Sequence, residues 1–117
     1  MEDTAVVLMV TANGRDEAER LAEGLVTAHL AGCASVVPVI HSFFYWEDRL
    51  QRNHEALLLV KTSAGRSAEA QAWIQEQHSG ELPEILEIGV SGGHAPYLSW
   101  LLGEVRGASR EPSKETS

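Results

Sequence analysis

The chain has 117 residues, of which 44% are hydrophobic and four are proline, and this composition is typical of one compact globular domain. Seventeen acidic residues against nine basic residues give a formal net charge of −8, which argues against nucleic acid as a partner. The single cysteine cannot form an internal disulfide, and no N-terminal run combines basic residues with a long apolar core. Neither secretion nor a membrane span is indicated, and the cytoplasm is the expected compartment.

The first half of the chain predicts a strand, a helix and a long hairpin. The run "AVVLMV" at 5–10 is β-branched and bounded by "TANG", as is typical of a buried strand. A helix follows, with Asp16 as the expected N-cap, Glu19 three residues on as in a capping box, and Gly32 as its end. A long strand then runs to a polar turn in "WEDRLQRN", and "EALLLVKT" at 55–62 returns antiparallel to it.

The second half predicts a helix, a strand and a short helix. From Ser67, "SAEAQAWIQEQHSG" indicates a second helix that ends at Gly80. "EILEIGV" then predicts a fourth strand, and "APYLSWLL" at 95–102 predicts a short helix. We expect one domain over 1–104 and a disordered tail over 105–117, because the tail has no apolar anchor. The order βαββαβ is typical of a ferredoxin-like α+β sandwich, with both helices on one face of a four-stranded sheet.

The long second strand, "SVVPVIHSFFYWEDRLQ" at 35–51, is apolar on both faces. Strict alternation places side chains on one face at Val36, Pro38, Ile40, Ser42, Phe44 and Trp46, and on the other at Val37, Val39, His41, Phe43 and Tyr45. Helices cover only one face of such a sheet, so we expect the short C-terminal helix and another subunit to cover the second. The unusual length of the hairpin predicts that its tip pairs across a subunit interface.

Spacing alone predicts no metal site. The histidines are scattered, without a pair at i, i+4 and without a Cys-x-x-Cys motif: His29, His41, His54, His78 and His94. Cys33 follows the predicted helix C-terminus, where the macrodipole disfavours a thiolate unless a cation lies nearby. A small buried hydrophobe is therefore the favoured interpretation of Cys33.

Lys61 and Glu84 border otherwise apolar strands, and a buried charge in such a place requires a partner. Two interpretations stay open. In the first, the two side chains form an ion pair that fixes the register between subunits. In the second, they line a cleft between subunits, with Tyr45 and Trp46 as its wall, that accepts a small anion or a metal complex.

Five ordered blocks of this sequence resemble the CutA family of divalent-cation tolerance proteins. They are "VVLMVTA", "LAGCASVVPVIHSFFYWED", "LLLVKT", "LPEILEI" and "YLSWL", and they span about residues 5 to 102. The resemblance implies a homotrimer of ferredoxin-like subunits whose long hairpins interlock at the interfaces. It also implies a non-enzymatic role in divalent-cation tolerance, since members have been connected with copper tolerance, or a role in scaffolding or signalling.

Carried over residue by residue, the resemblance implies one cleft and one weak metal position. The matching cleft residues are Cys33, Tyr45, Trp46, Lys61 and Glu84.

The metal ligands proposed for the family are a first-strand cysteine and adjacent histidines at the end of the second helix. Here Val10 replaces the cysteine and Gln77 replaces the first histidine, so His78 stands alone. We therefore expect weak binding of Cu(II) or another divalent cation.

Two other function classes share the subunit plan. PII-like signalling regulators are trimers that bind small molecules between subunits, but this chain has no suitable long loop. Acylphosphatases use an arginine and an asparagine, for which Arg15 and Asn53 are the candidates. We expect Asn53 at the hairpin turn, too far from Arg15 for catalysis.

Overall fold

A computed structural model describes residues 3–106 and shows four strands and three helices in this range. The elements are β1 (Ala5–Ala12), α1 (Arg15–Thr27), β2 (Cys33–Trp46), β3 (Arg49–Ser63), α2 (Ala64–Gln77), β4 (Ile85–Gly89) and α3 (Ala95–Val105). The strands form one sheet in the order β2-β3-β1-β4, and every neighbouring pair is antiparallel. The predicted ferredoxin-like α+β fold is confirmed.

The core lies between one face of the sheet and the helices α1 and α2. Alternate residues of β1 and β3 point to this side, and they are fully buried at Leu8, Val10, Leu58 and Val60. The helices contribute Ala18, Leu21, Leu25, Ala70 and Ile74. Because each large apolar side chain contributes roughly 1.5–3 kcal/mol when fully buried, this layer supplies most of the stability of the single chain.

The two core helices touch at a glycine. A Cβ atom added at Gly24 would lie 2.4 Å from Cη2 of Trp73, well inside van der Waals contact. Gly24 therefore leaves the space that the indole ring fills between α1 and α2.

Helix α1 begins differently from the prediction. Its N-cap is Gly14 rather than Asp16, and no side chain caps it. Glu17, not Glu19, reaches back over the first turn, where its Oε1 accepts a hydrogen bond of 2.7 Å from the N–H of Asn13. The carboxylate at the third helical position thus stabilises the loop before the helix, as in a capping box without the N-cap hydroxyl.

Helix α1 also ends earlier than predicted. Its last residue is Thr27, and His29 takes a left-handed conformation with a φ of 59°. The N–H of Leu30 donates to the carbonyl of Leu25 over 2.9 Å, which closes the helix by a Schellman motif. Gly32, the predicted end, lies beyond this turn.

The start of α2 and the end of α3 each differ from the prediction by about one turn. Ser63 is the N-cap of α2, and its hydroxyl accepts a backbone N–H of the first turn, so the helix starts before the predicted Ser67. Helix α3 continues to Val105, which is buried, rather than ending at residue 102. The rest of the predicted tail, from 107 onward, lies outside the described residues.

Strand β2 carries a bulge. Val37 pairs with Leu57 and Ile40 pairs with Glu55, so three steps along β2 match two along β3. The extra residue lies at Pro38 and Val39, where an edge strand tolerates a proline because no ladder hydrogen bond is lost.

The bulge reverses the alternation of side chains along the rest of β2. The faces predicted for 35–51 hold up to Val37 and are wrong beyond it: Phe44 and Trp46 share a face with Val37, not with Val36. We call the sheet face away from α1 and α2 the open face. Its apolar side chains are Val7, Met9, Val37, Ile40, Phe44, Trp46, Leu57, Leu59, Leu86 and Ile88.

Helix α3 covers one end of the open face. It packs against β3 and β1, and Leu101 approaches so closely that a Cβ atom on Gly32 would lie 2.7 Å from its Cδ1. Arg66 holds the end of α3 by donating from Nε to the carbonyl of Val105 over 2.8 Å. The expectation that the short C-terminal helix covers part of this face is confirmed, and the rest of the face stays exposed.

The hairpin closes through a tight turn without glycine. Trp46 pairs directly with Arg49, and the two residues between them have positive φ values of 53° at Glu47 and 66° at Asp48. Two consecutive positive φ values are the signature of a type I′ turn, in which glycine is strongly preferred at the second position. The turn is therefore shorter than the predicted "WEDRLQRN" segment.

We expect Asp48→Gly to stabilise the protein by about 1 kcal/mol, because it removes the steric cost of a left-handed residue with a Cβ atom. Urea unfolding of the full chain measures this change. Asp16→Gly is the matched control, because the same substitution in the first turn of α1 should destabilise. A lower midpoint for Asp48→Gly would contradict the turn geometry.

Candidate functional site

A cationic and a thiol group lie side by side on the open face. Cys33 and Lys61 are direct partners across β2 and β3. Nζ of Lys61 donates to Oγ of Ser35 over 2.8 Å and lies 3.8 Å from Sγ of Cys33. Both the lysine and the cysteine are half-buried.

Tyr97 of α3 completes this group, which we call the thiol corner: Cys33, Ser35, Lys61 and Tyr97. Burial raises the pKa of the Tyr97 hydroxyl, and the charge of Cys33 and a hydrogen bond to it raise that pKa further. The corner therefore combines one fixed positive charge with two ionisable groups that interact with each other. Such an arrangement suits an anion or a soft electrophile better than a bare cation.

Cys33 does not lie at a helix C-terminus, contrary to the prediction. Helix α1 ends at Thr27, and Cys33 is the first residue of β2. Lys61 places a positive charge beside the thiol. Within one chain, the Cys33 thiol is half-buried rather than fully buried, so Cys33 is not a small hydrophobic residue of the core.

A second feature of the open face is an open groove of about 980 Å³, which we call the hairpin groove. One wall is the extended hairpin, with Phe44 and Trp46, and the other is the loop between α2 and β4, with His78, Pro83 and Glu84. The groove joins aromatic surface to carboxylates and one imidazole.

The five predicted cleft residues do not form one cleft within a single chain. Cys33 and Lys61 belong to the thiol corner, while Trp46 and Glu84 line the hairpin groove. Tyr45 pairs with Leu50 on the opposite face of the hairpin and is 73% exposed.

Lys61 and Glu84 also lie apart. Lys61 pairs with Val7 of β1, whereas the carbonyl of Glu84 accepts from the N–H of Thr11. Four residues along β1 separate these points by about 13 Å. Within residues 3–106 the structure shows no ion pair between them, so an ion pair of this kind requires two chains.

His78 is held by both ring nitrogens. Its Nε2 lies 2.7 Å from the carbonyl oxygen of Thr11, and its Nδ1 accepts the N–H of Gly80 over 2.9 Å. The tautomer with the proton on Nε2 satisfies both contacts, and it leaves no free lone pair on the ring. A metal ion could bind His78 only after one of these hydrogen bonds is broken.

Glu17 ties two loops together beside His78. Its carboxylate accepts from the N–H of Asn13 and from the N–H of Ser79, each over 2.7 Å, and its side chain is only 9% exposed. Burial raises the pKa of this carboxyl, but the hydrogen bonds from Asn13 and Ser79, with a smaller contribution from His78, bring the net pKa below its usual range.

In the described part of the chain, no group of three or more His, Cys, Asp or Glu side chains is placed to hold a metal ion. A closed metal site formed by one chain is therefore not present between residues 3 and 106. A site built from these described residues has at most two such ligands from one chain, or it takes ligands from more than one chain.

Sequence reasoning missed three residues of this region. Ser35 could have been found, because it lies two residues from Cys33 on a predicted strand and therefore on the same face. Glu17 was missed because Asp16 was expected to be the N-cap, which places the capping-box partner at Glu19. Tyr97 gave no signal, because the pattern of a short apolar helix does not show which side packs against the sheet.

The sequence is similar to proteins of divalent-cation tolerance. The family described as "CutA1 divalent ion tolerance protein" matches residues 6–104. The divalent-cation tolerance protein CutA of Pectobacterium atrosepticum is 35% identical over 102 residues, which are 87% of this chain and 93% of that protein.

Solved structures agree with the sequence comparison. CutA1 from Oryza sativa has a TM-score of 0.85 at 30% identity, over 88% of this chain and 94% of that chain. The divalent cation tolerance protein from Thermus thermophilus has a TM-score of 0.83 at 29% identity, over 86% and 97% of the two chains.

We expect Glu17→Gln to lower stability by about 1–2 kcal/mol at pH 7, because the amide loses the charge and one acceptor oxygen. The lowered pKa makes the contribution of Glu17 complete above pH about 4.5, its unfolded value, and removes it as the pH falls through the folded value. The difference between wild type and variant should therefore shrink below pH about 4.5. Urea midpoints at several pH values measure it.

Glu23→Gln is the control, since it makes the same change of charge on the exposed side of α1. A gap between wild type and Glu17→Gln that stays constant down to pH about 3 would contradict the role of the Glu17 carboxylate.

Proposed function

The chain belongs to the CutA1 divalent ion tolerance family, and from this premise we propose that it is a homotrimeric divalent-cation tolerance protein that catalyses no reaction. The main observation that supports the trimer is the open face. One chain leaves half of the apolar side chains of this face exposed, with Leu86 53% and Ile88 44% exposed. Contiguous apolar surface of this kind is typical of a subunit interface.

The hairpin supports the same proposal. Beyond the bulge it presents apolar side chains on both of its faces, at Phe43, Phe44, Tyr45, Trp46 and Leu50. The radius of gyration of 15.2 Å exceeds the value of about 13 Å expected for a compact domain of this length. A neighbouring subunit that packs against the hairpin would bury this surface and cover the exposed edge of β2.

We propose that assembly also completes the cleft that a single chain leaves divided. A second subunit on the open face would bury Lys61, whose side-chain contacts in the described residues are Oγ of Ser35 and Sγ of Cys33 and include no carboxylate. A buried charge without a counter-charge is costly. The interface must therefore bring a carboxylate, for which Glu84 of a neighbouring chain is the candidate, or leave room for a small anion or a metal complex.

The two other function classes receive no support. The relatives found by sequence and by structure are CutA and CutA1 proteins, so the PII-like alternative is not supported. For the acylphosphatase alternative, Arg15 makes an ion pair with Glu19 over 3.7 Å. Asn53 lies within β3 opposite Ser42, rather than in the turn, and this places it on the open face.

We also propose that His78 binds Cu(II), and we expect this binding to be weak. The ring must give up a hydrogen bond to Thr11 or to Gly80 before a nitrogen can bind a metal. Carboxylates of the same loop, such as Glu81 and Glu84, line the hairpin groove beside it. One imidazole with carboxylates gives little selection among Cu(II), Ni(II) and Zn(II).

The cytoplasm remains the expected compartment, and it is a proposal. No described helix is long and apolar enough to cross a bilayer. The half-buried free thiol of Cys33 suits a reducing environment. Fractionation of the source cells would test the assignment.

We expect the protein in solution to have the mass of three chains at micromolar concentration, and Trp46→Ala to shift it to smaller species. Loss of a large aromatic side chain buried at an interface costs about 3–5 kcal/mol. Light scattering after size exclusion measures the mass. Trp46→Phe is the control, because it keeps an aromatic ring at the groove and should keep the trimer.

A monomer mass for the wild type would contradict the trimer. An unchanged mass and melting temperature for Trp46→Ala would show that this side chain is not an interface anchor.

For the metal, we expect His78→Ala to lower stability, because the carbonyl of Thr11 loses its donor at a cost of about 1–3 kcal/mol. We expect only a small loss of Cu(II) affinity from the same change. Calorimetric titration of both proteins with Cu(II) separates the two effects. Tight, selective binding that disappears in His78→Ala would contradict the hydrogen-bonded state of the ring.

A further inference from the structure

Two histidines that are far apart in sequence face each other across the hairpin. His41 of β2 pairs directly with His54 of β3. The centroids of their rings are 4.4 Å apart, and the ring planes make an angle of 71°. Both residues are exposed, on the face of the hairpin opposite to Phe44 and Trp46.

The bulge creates this pair. If the same sequence continued from Val37 in a regular ladder with no bulge, the residue opposite His54 would be Ile40, and His41 would point to the open face. Thirteen positions separate His41 from His54, so no short-range spacing in the sequence indicates that they meet. Directly opposite residues of an antiparallel pair hold their Cβ atoms about 4.5–5.5 Å apart. The two rings therefore lie close together, and no loop has to become ordered to bring them there.

We propose that His41 and His54 form a two-imidazole site for a divalent transition-metal ion, with Cu(II) as the preferred ion. The proposal rests on the divalent-cation role proposed above for its biological meaning. The site takes both of its imidazoles from one chain and does not use His78. Imidazole is a common ligand of Cu(II), Ni(II) and Zn(II), and Cu(II) binds most strongly among these ions.

The ring separation matches one coordination geometry. With a metal–nitrogen bond of about 2.0 Å and a ring centroid about 1.2 Å behind the nitrogen, two ligands at about 90° have centroids about 4.5 Å apart. A tetrahedral angle would place the centroids about 5.2 Å apart. The observed centroid distance of 4.4 Å is close to the separation for adjacent positions of a square-planar or tetragonal ion, such as Cu(II) or Ni(II), and binding requires each ring to turn one nitrogen toward the ion.

The surroundings leave room for the ion and limit its affinity. The part of the chain that the structure describes offers no third His, Cys, Asp or Glu ligand at this place, so water fills the remaining positions. Arg52, on the same face, is a nearby positive charge, but its guanidinium lies over the ring of Phe43, 5.3 Å from the centroid. The net charge of −8 on the whole chain favours cations at longer range.

The test is titration of the full chain with Cu(II), Ni(II), Zn(II) and Ca(II), by calorimetry and by electron paramagnetic resonance for Cu(II). The variants are His41→Thr, His54→Thr and the double variant. Threonine keeps the strand propensity, and both positions are exposed, so the fold should persist. Unfolding midpoints without metal confirm that it does. His94→Asn, which removes an exposed histidine at the start of α3, is the matched control.

We expect one Cu(II) per chain with two nitrogen ligands in the spectrum, weaker binding of Ni(II), and no binding of Ca(II). Each single variant should lose at least about tenfold in Cu(II) affinity. The double variant should lose little more than either single variant, because the two rings serve one site. Cu(II) should also raise the melting temperature of the wild type and not that of the variants.

Unchanged Cu(II) affinity in His41→Thr or in His54→Thr would overturn the site, as would a spectrum with a single nitrogen ligand. Loss of binding only in His78→Ala would overturn it too, while supporting a cation site in the hairpin groove. A wild type that binds no Cu(II) would overturn the site, and the solution mass would still decide the trimer.

Discussion

One extra residue in β2 determines which side chains this protein presents on each side of its hairpin. Because side chains alternate strictly along a strand, the bulge at Pro38 and Val39 exchanges the two faces of everything that follows. It brings Phe44 and Trp46 onto the open face, where they extend the apolar surface of the sheet. The same exchange sends His41 to the outer side. The surface proposed for assembly and the histidine pair proposed for metal binding thus lie on opposite faces because of this one bulge.

Most of the architecture could be predicted from the sequence, because it follows from the spacing of apolar residues and from the turn-forming residues between the elements. The order of strands and helices, the long hairpin and the core positions of α1 each reflect an apolar pattern several residues long, which local deviations do not disturb. The short C-terminal helix was also predicted, and its position on the open face followed from the need to cover apolar surface. Helix ends were less predictable: Gly14 replaces Asp16 as the N-cap of α1, because hydrogen bonds rather than residue preferences set the boundary.

The candidate site was predicted less completely, because it depends on contacts between distant segments. The sequence identified Cys33 and Lys61 individually, and only strand register shows that they are neighbours. It placed Tyr45 beside Trp46, although adjacent residues of a strand point to opposite faces. For His78 the sequence supplied a chemical type, whereas the two hydrogen bonds that occupy its ring come from Thr11 and Gly80. Ligand availability is a property of the folded environment, so residue identity alone could not reveal it.

The close approach of α1 and α2 constrains how this sequence can change with time. No side chain fits at Gly24 while the indole of Trp73 occupies the adjacent space. Replacement of either residue alone leaves a clash or a void, and both are costly in a packed core. The two positions should therefore change together among descendants of this protein, with a larger residue at 24 accompanied by a smaller one at 73. The contact between the two helices should therefore appear as correlated substitutions at positions 24 and 73 in an alignment of related sequences.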